Sequence, residues 1–188
     1  RPRISDYARS KHLGEQVLIT EARFPWTIFR PPAVYGPGDR EMLPLLQSAH
    51  RGLVIRPGPA IQRVSLLYVD DLARAALAWL AHAGNCANRS FTLDDGHPGG
   101  YDWPAIARAA GRGRAIELGI PRVLLNAAAR ANRALAGIFG YAPMLTPGKA
   151  RELTQPDWLC DNSALTLATG WQPATDLAAG IEKLFDRT

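Results

Sequence analysis

Two consecutive prolines, Pro31-Pro32, follow directly on a short run of strand formers, and that junction restricts this chain more than any other feature. Trp26 to Phe29 reads as a strand of β-favouring residues, and it must stop where proline can no longer donate to a central ladder. The turn Gly36-Pro37-Gly38-Asp39 comes next, so the strand leads into a loop rather than a hairpin. Around it the pattern alternates. Ser5 or Asp6 is placed to cap a helix running to about Arg23, and a helix over Met42 to Arg51 precedes a short strand, Leu53 to Ile55. Val64 to Tyr68 reads as one strand. Asp70 or Asp71 then caps a helix whose Leu72, Ala75, Ala76, Trp79 and Leu80 recur at helical spacing. The acidic pair Asp70 and Asp71 is read as capping rather than catalytic. This strand–helix alternation argues an α/β fold.

The second half is mostly helical. A strand is expected at Phe91 to Leu93 and a helix at Asp102 to Ala110. A long Ala-rich helix is expected from Pro121 to Phe139, its charges (Arg122, Arg130 and Arg133) all positive. Short helices over 147–153, 162–168 and 176–185 close the chain.

The chain has 188 residues, 22 Lys plus Arg against 17 Asp plus Glu, and a formal net charge of +5. No basic block of the nucleic-acid-binding kind occurs, so a nucleic-acid partner is not expected. Cys86 and Cys160 have no neighbours at metal-ligand spacing, which supports neither a disulfide framework nor a metal site. With no 18-residue apolar run and no signal peptide, a cytoplasmic setting is expected. His12, His50, His82 and His97 form no triad.

Chemistry enters at Tyr7-Ala8-Arg9-Ser10-Lys11. Residues i and i+4 share one helix face, so the Lys11 ammonium sits beside the Tyr7 phenol. A cation there favours the phenolate and brings the phenol closer to useful acid–base behaviour. Alone, such a pair reads as a solvated face, and its neighbours alter that reading. Glu15 follows on the same helix, then Phe29-Arg30-Pro31-Pro32-Ala33-Val34-Tyr35-Gly36-Pro37-Gly38-Asp39, then Tyr68-Val69-Asp70-Asp71-Leu72-Ala73. Near the end stand Asp161-Asn162-Ser163-Ala164, Thr169-Gly170-Trp171-Gln172-Pro173 and Asp176-Leu177-Ala178-Ala179-Gly180.

This order and spacing resemble the extended short-chain dehydrogenase/reductase family, in its NAD-dependent epimerase/dehydratase group. The resemblance implies an oxidoreductase or epimerase acting on a secondary alcohol or ketone by hydride transfer, with NAD or NADP as cofactor. It implies that Tyr7 is the general acid/base and that Lys11 tunes Tyr7 and holds the nicotinamide ribose. It further implies that the backbone near Pro31, Ala33 and Val34 lines the nicotinamide. Arg30 fits a structural carboxylate partner as well as a ligand. Tyr35, Arg63 and Tyr68 are the substrate candidates. Sugar-nucleotide members carry an arginine where alignment here puts Val64, with Arg63 one residue away, and Tyr68 replaces the commoner His. Those two departures put a nucleotide-sugar substrate in doubt, and a nucleotide sugar and a lipid- or sterol-like alcohol both stay open as the small-molecule substrate.

The family's Gly-rich phosphate loop and catalytic Ser or Thr have no counterpart; Gly111-Arg112-Gly113 follows a helix and lacks a third glycine. The expectation is therefore the C-terminal part of a doubly wound Rossmann-type parallel sheet plus a small, mostly helical substrate-binding domain. Residues 1–90 would hold the first, interleaved with substrate-domain segments, and 91–188 mainly the second. The 188 residues alone are expected to have little or no cofactor affinity and to be inactive. A homodimer and a peripheral membrane contact through 121–139 stay open. A non-catalytic binding or assembly subunit of the same fold is the alternative, and retention of Tyr7 and Lys11 favours the enzyme.

Overall fold

Ser5 is extended, and its hydroxyl accepts from the Ala8 amide at 3.1 Å, so the first helix, α1 (Asp6–Glu21), starts where a small oxygen-bearing side chain satisfies a free N–H. The computed structural model describes residues 5–58, 62–110, 115–143 and 145–185. Gly111-Arg112-Gly113 lies outside them. After α1 come β1 (Thr27–Arg30), β2 (Ala33–Tyr35), α2 (Leu43–His50), β3 (Leu53–Pro57), β4 (Arg63–Val64), β5 (Leu66–Tyr68), α3 (Val69–Ala81) and α4 (Ala83–Cys86). The chain continues through β6 (Arg89–Thr92), α5 (Trp103–Ala109), β7 (Ile116–Ile120), α6 (Arg122–Phe139), α7 (Pro147–Leu153), β8 (Asp157–Trp158), α8 (Ser163–Thr169) and α9 (Leu177–Phe185).

Among the described residues the paired strands run parallel, β1 with β6, β2 with β5, β3 with β7 and β4 with β8, and Val64 of β4 adds an isolated antiparallel bridge to Tyr101. Parallel strands need crossovers, and helices supply them, which is the α/β architecture the sequence pattern implies. Three strands, β2, β7 and β8, lie in stretches to which the pattern assigns no strand. β2 has only three residues between Pro32 and Gly36, and β7 contains Gly119, so propensity alone does not mark them; pairing with β5 and β3 creates them. The strand expected over 64–68 is interrupted at Ser65, whose amide donates to the Trp158 carbonyl.

β5 divides the core. Its successive side chains point to opposite faces. Leu66 packs with Tyr35, Leu46, Val54, Trp103 and Ile181, whereas Leu67 packs with Ala75, Phe91, Leu93, Leu165 and Trp171. Both clusters draw on residues before and after residue 90. A smaller cluster joins α6 to α7 through Leu125, Ala129 and Ala150.

Candidate functional site

Helix α1 carries the Tyr7 and Lys11 pair as its sequence spacing predicts. The Lys11 Nζ lies 5.5 Å from the centre of the Tyr7 ring, and Tyr7 is 69% exposed. Glu15, one further turn along, receives both arms of the Arg30 guanidinium at 3.0 and 2.6 Å. The Arg30 hydrogen bonds and charge hold the Glu15 carboxyl below its ordinary range, and Glu15 in turn raises Arg30. Arg30 thus takes the structural role. Because it is the last residue of β1, the pair fastens one face of α1 to the exit of that strand. Tyr7 sits about 12 Å along the helix from Glu15, at 1.5 Å per residue.

Pro31 is exposed, while Ala33 and Val34 are half-buried. Their segment leaves the C-terminal end of β1, and the loop 93–96 leaves the same end of the parallel neighbour β6. In open α/β sheets ligands collect at that edge. The loop 93–96 borders an open cavity of about 560 Å³ lined by Asp95, Gly96, Asn162, Ser163, Leu167 and Pro173. Burial raises both the Asp94 and the Asp95 carboxyls. Tyr101 donates its hydroxyl to Asp95 at 2.5 Å, and His97 stacks on the Tyr101 ring at 4.2 Å. Burial, then the Asp95 hydrogen bond, raises the Tyr101 phenol. The sequence marks Asp94 to Gly100 only as a turn; the available signal was an acidic pair directly after a strand.

Of the three substrate candidates, Tyr35 and Tyr68 are buried and Arg63 is exposed. Tyr35 and Tyr68 are each 1% exposed and meet edge to face at 5.5 Å. The Tyr35 hydroxyl donates to the Asp176 carbonyl at 3.3 Å, and burial strongly raises its phenol. Arg63 makes a two-pronged pair with Asp157 at 2.9 and 3.1 Å, joining β4 to β8. Tyr35 and Tyr68 thus belong to the packed core, while Arg63 stays exposed within its ion pair.

The acidic pair also departs from its reading. Tyr68 occupies the position before α3, and no side chain caps it. Asp71 is fully buried in the first turn and accepts from the amides of Ala174 and Thr175, each at 2.9 Å. It pins the segment before α9 to α3. Cys86 and Cys160 are free thiols, and no cluster of His, Cys, Asp and Glu among the described residues is arranged to hold a metal.

Residues 2–92, which include α1, the β1 exit and the start of α3, match the model of the NAD dependent epimerase/dehydratase family. They are a segment of that family. A ceramide reductase of Caulobacter vibrioides is 35% identical over 162 residues, 84% of this chain and 49% of that protein. A 2-alkyl-3-oxoalkanoate reductase of Stenotrophomonas maltophilia is 30% identical over 98 residues, 49% of this chain and 30% of that protein. The solved UDP-glucuronic acid 4-epimerase of Bacillus cereus, in complex with UDP-glucuronic acid and NAD, superposes with a TM-score of 0.64 at 17% identity. That match covers 96% of this chain and 51% of the epimerase. The epimerase/dehydratase segment therefore sits in a Rossmann-type α/β fold, and the chain spans about half the length of the first of these curated relatives. Among the described residues no helix is long and apolar enough to cross a membrane.

Proposed function

We propose that this chain carries the proton-transfer side of an NAD(P)-dependent reductase site for a ketone on an alkyl-chain substrate. The observation that carries the reading is the exposed Tyr7 and Lys11 pair, one turn apart on a helix that the Glu15–Arg30 pair fastens to the β1 exit. The residues at hand suit the nicotinamide end of the cofactor: Tyr7 and Lys11 are accessible, and the backbone of Pro31, Ala33 and Val34 leaves the same strand end. When bound, NAD(P)H supplies the hydride to the carbonyl carbon. Tyr7 gives its phenolic proton to the carbonyl oxygen as charge develops there. The Lys11 ammonium, a turn away, stabilises the phenolate left behind until solvent returns a proton, and it has donors to spare for ribose hydroxyls.

Two features support a lipid-like substrate over a nucleotide sugar. Arg63, the candidate diphosphate contact, is already bound to Asp157, and Tyr68 is packed in the core. The two curated relatives are named as reductases of a ceramide and of a 2-alkyl-3-oxoalkanoate.

The test is Tyr7→Phe in the protein expressed from its whole reading frame, followed by nicotinamide absorbance with 3-oxoacyl substrates. Loss of a general acid lowers turnover by about 10²–10⁴-fold, with the fold intact because Tyr7 is exposed. Unchanged turnover would refute the assignment.

A further inference from the structure

Helix α6 buries one narrow stripe, Leu125, Ala129 and Ala136, of which the first two pack on α7. Its outer side is where a surface helix ordinarily places charge. Projected at 100° per residue, Val123, Leu124, Ala127, Ala128, Ala131, Ala134, Leu135, Ile138 and Phe139 instead fill about 160° of that outer side with apolar groups. Their exposure agrees: Val123 is 77%, Leu124 61%, Ile138 75% and Phe139 73% exposed. The polar residues Arg122, Asn126, Arg130 and Arg133 form one flank. Arg122 donates to the Thr154 carbonyl at 2.6 Å, and Arg130 and Arg133 are exposed on the same flank. The strand before α6 adds exposed Ile116 and Leu118.

Charge is concentrated in the same place. Residues 115–151 contain five basic residues and one acidic one, a sum of +4 against +1 for the rest of the chain, and of the five Lys149 pairs with Glu41 at 3.1 Å. An isologous contact would set this stretch against its own copy and repel. An anionic, apolar-cored partner fits both properties.

We infer that the outer face of α6 lies on an anionic lipid bilayer, its Leu, Ile and Phe side chains at the acyl boundary and Arg130 and Arg133 at the headgroups. Choosing a bilayer over another anionic surface rests on the lipid-substrate reading above, since a ketone with long alkyl chains is met at a membrane.

The experiment is co-sedimentation of the whole protein with vesicles, either of phosphatidylcholine alone or of three parts phosphatidylcholine to one part phosphatidylglycerol. Wild type binds the anionic vesicles at least about tenfold more strongly, and high salt removes the preference. The double variant Leu124→Glu/Ile138→Glu binds about tenfold or more weakly, with an unchanged melting curve because both side chains are exposed. Arg130→Glu/Arg133→Glu loses the preference for anionic lipid. Wild type remaining in the supernatant with anionic vesicles overturns the inference, as does equal sedimentation of the Leu124→Glu/Ile138→Glu variant. So does a vesicle-indifferent protein whose self-association, seen by sedimentation velocity, disappears in that variant. Tyr7→Phe separates the two readings: it abolishes turnover and leaves vesicle binding intact. A protein that binds vesicles but reduces no ketone loses the reductase reading and keeps this surface.

Discussion

Replacing Asp71 with alanine removes the acceptor of three donors at once. The amides of Ala174 and Thr175 each reach it at 2.9 Å, and the Arg74 side chain reaches it at 2.5 Å from a position 46% exposed. Thr175 is 1% exposed, so its amide has no water to turn to when the carboxylate is gone. An orphaned buried donor costs about 1–3 kcal/mol, and the Ala174 amide, only partly buried, loses less. Arg74 stays solvated and adds at most about 1 kcal/mol. The expected loss is about 3–5 kcal/mol, a large share of the roughly 5–15 kcal/mol that holds a domain folded. Asp71→Asn keeps one acceptor oxygen and turns an NH₂ group toward the other amide, so it should cost about half as much. Urea unfolding followed by tryptophan fluorescence reads both, and the asparagine variant remains measurable if the alanine variant does not fold. A cost below about 1 kcal/mol for Asp71→Ala, the size expected for losing a helix-end carboxylate alone, would refute the latch.

Two further substitutions probe the frame around the site. Burial raises the Asp95 carboxyl above its unfolded value, so folding takes up protons there. Its stabilisation is full at acid pH and is lost as pH rises through the folded value. Asp95→Asn should therefore gain stability relative to wild type as the pH rises from the ordinary carboxylate range toward neutrality, read as the difference in urea midpoints; a difference that shrinks on that rise contradicts it. Gly180 lets α9 approach Tyr35, because an added Cβ would overlap the Tyr35 hydroxyl and sit 2.8 Å from its ring. Gly180→Ala should lose about 1–3 kcal/mol despite the better helix former, with part regained when Tyr35→Phe is added. A Gly180→Ala protein that melts above wild type would show that the contact does not constrain the helix.

Local chemistry settled most of the helices and the juxtaposition of Tyr7 and Lys11. Ser5 before α1, Asp102 before α5 and Thr146 before α7 each accept an amide of their own first turn. Such caps act over three residues and need no distant partner. Tyr7 and Lys11 share a face for the same reason. The limits appear where partners are far apart in sequence. β2 and β7 exist through pairing with β5 and β3, and their own residues do not announce it. Asp71 reads as a cap because acidic residues at helix starts usually are; only tertiary structure brings residues 174 and 175 to it. Arg30 was open between ligand and carboxylate until the fold set it on Glu15.

The sequence by itself determined the α/β class, the proline-limited exit of β1 and the Tyr7–Lys11 pair, since these depend on backbone sterics and one helical turn. Tertiary structure decided which polar groups are already bound and which faces are left uncovered. It closed Tyr35 and Tyr68 into the core, set Arg63 on Asp157 at the surface, gathered Asp94 and Asp95 at the strand ends, and left the apolar side of α6 outward. Those outcomes depend on burial and on contacts across about a hundred residues, and side-chain type alone carries neither.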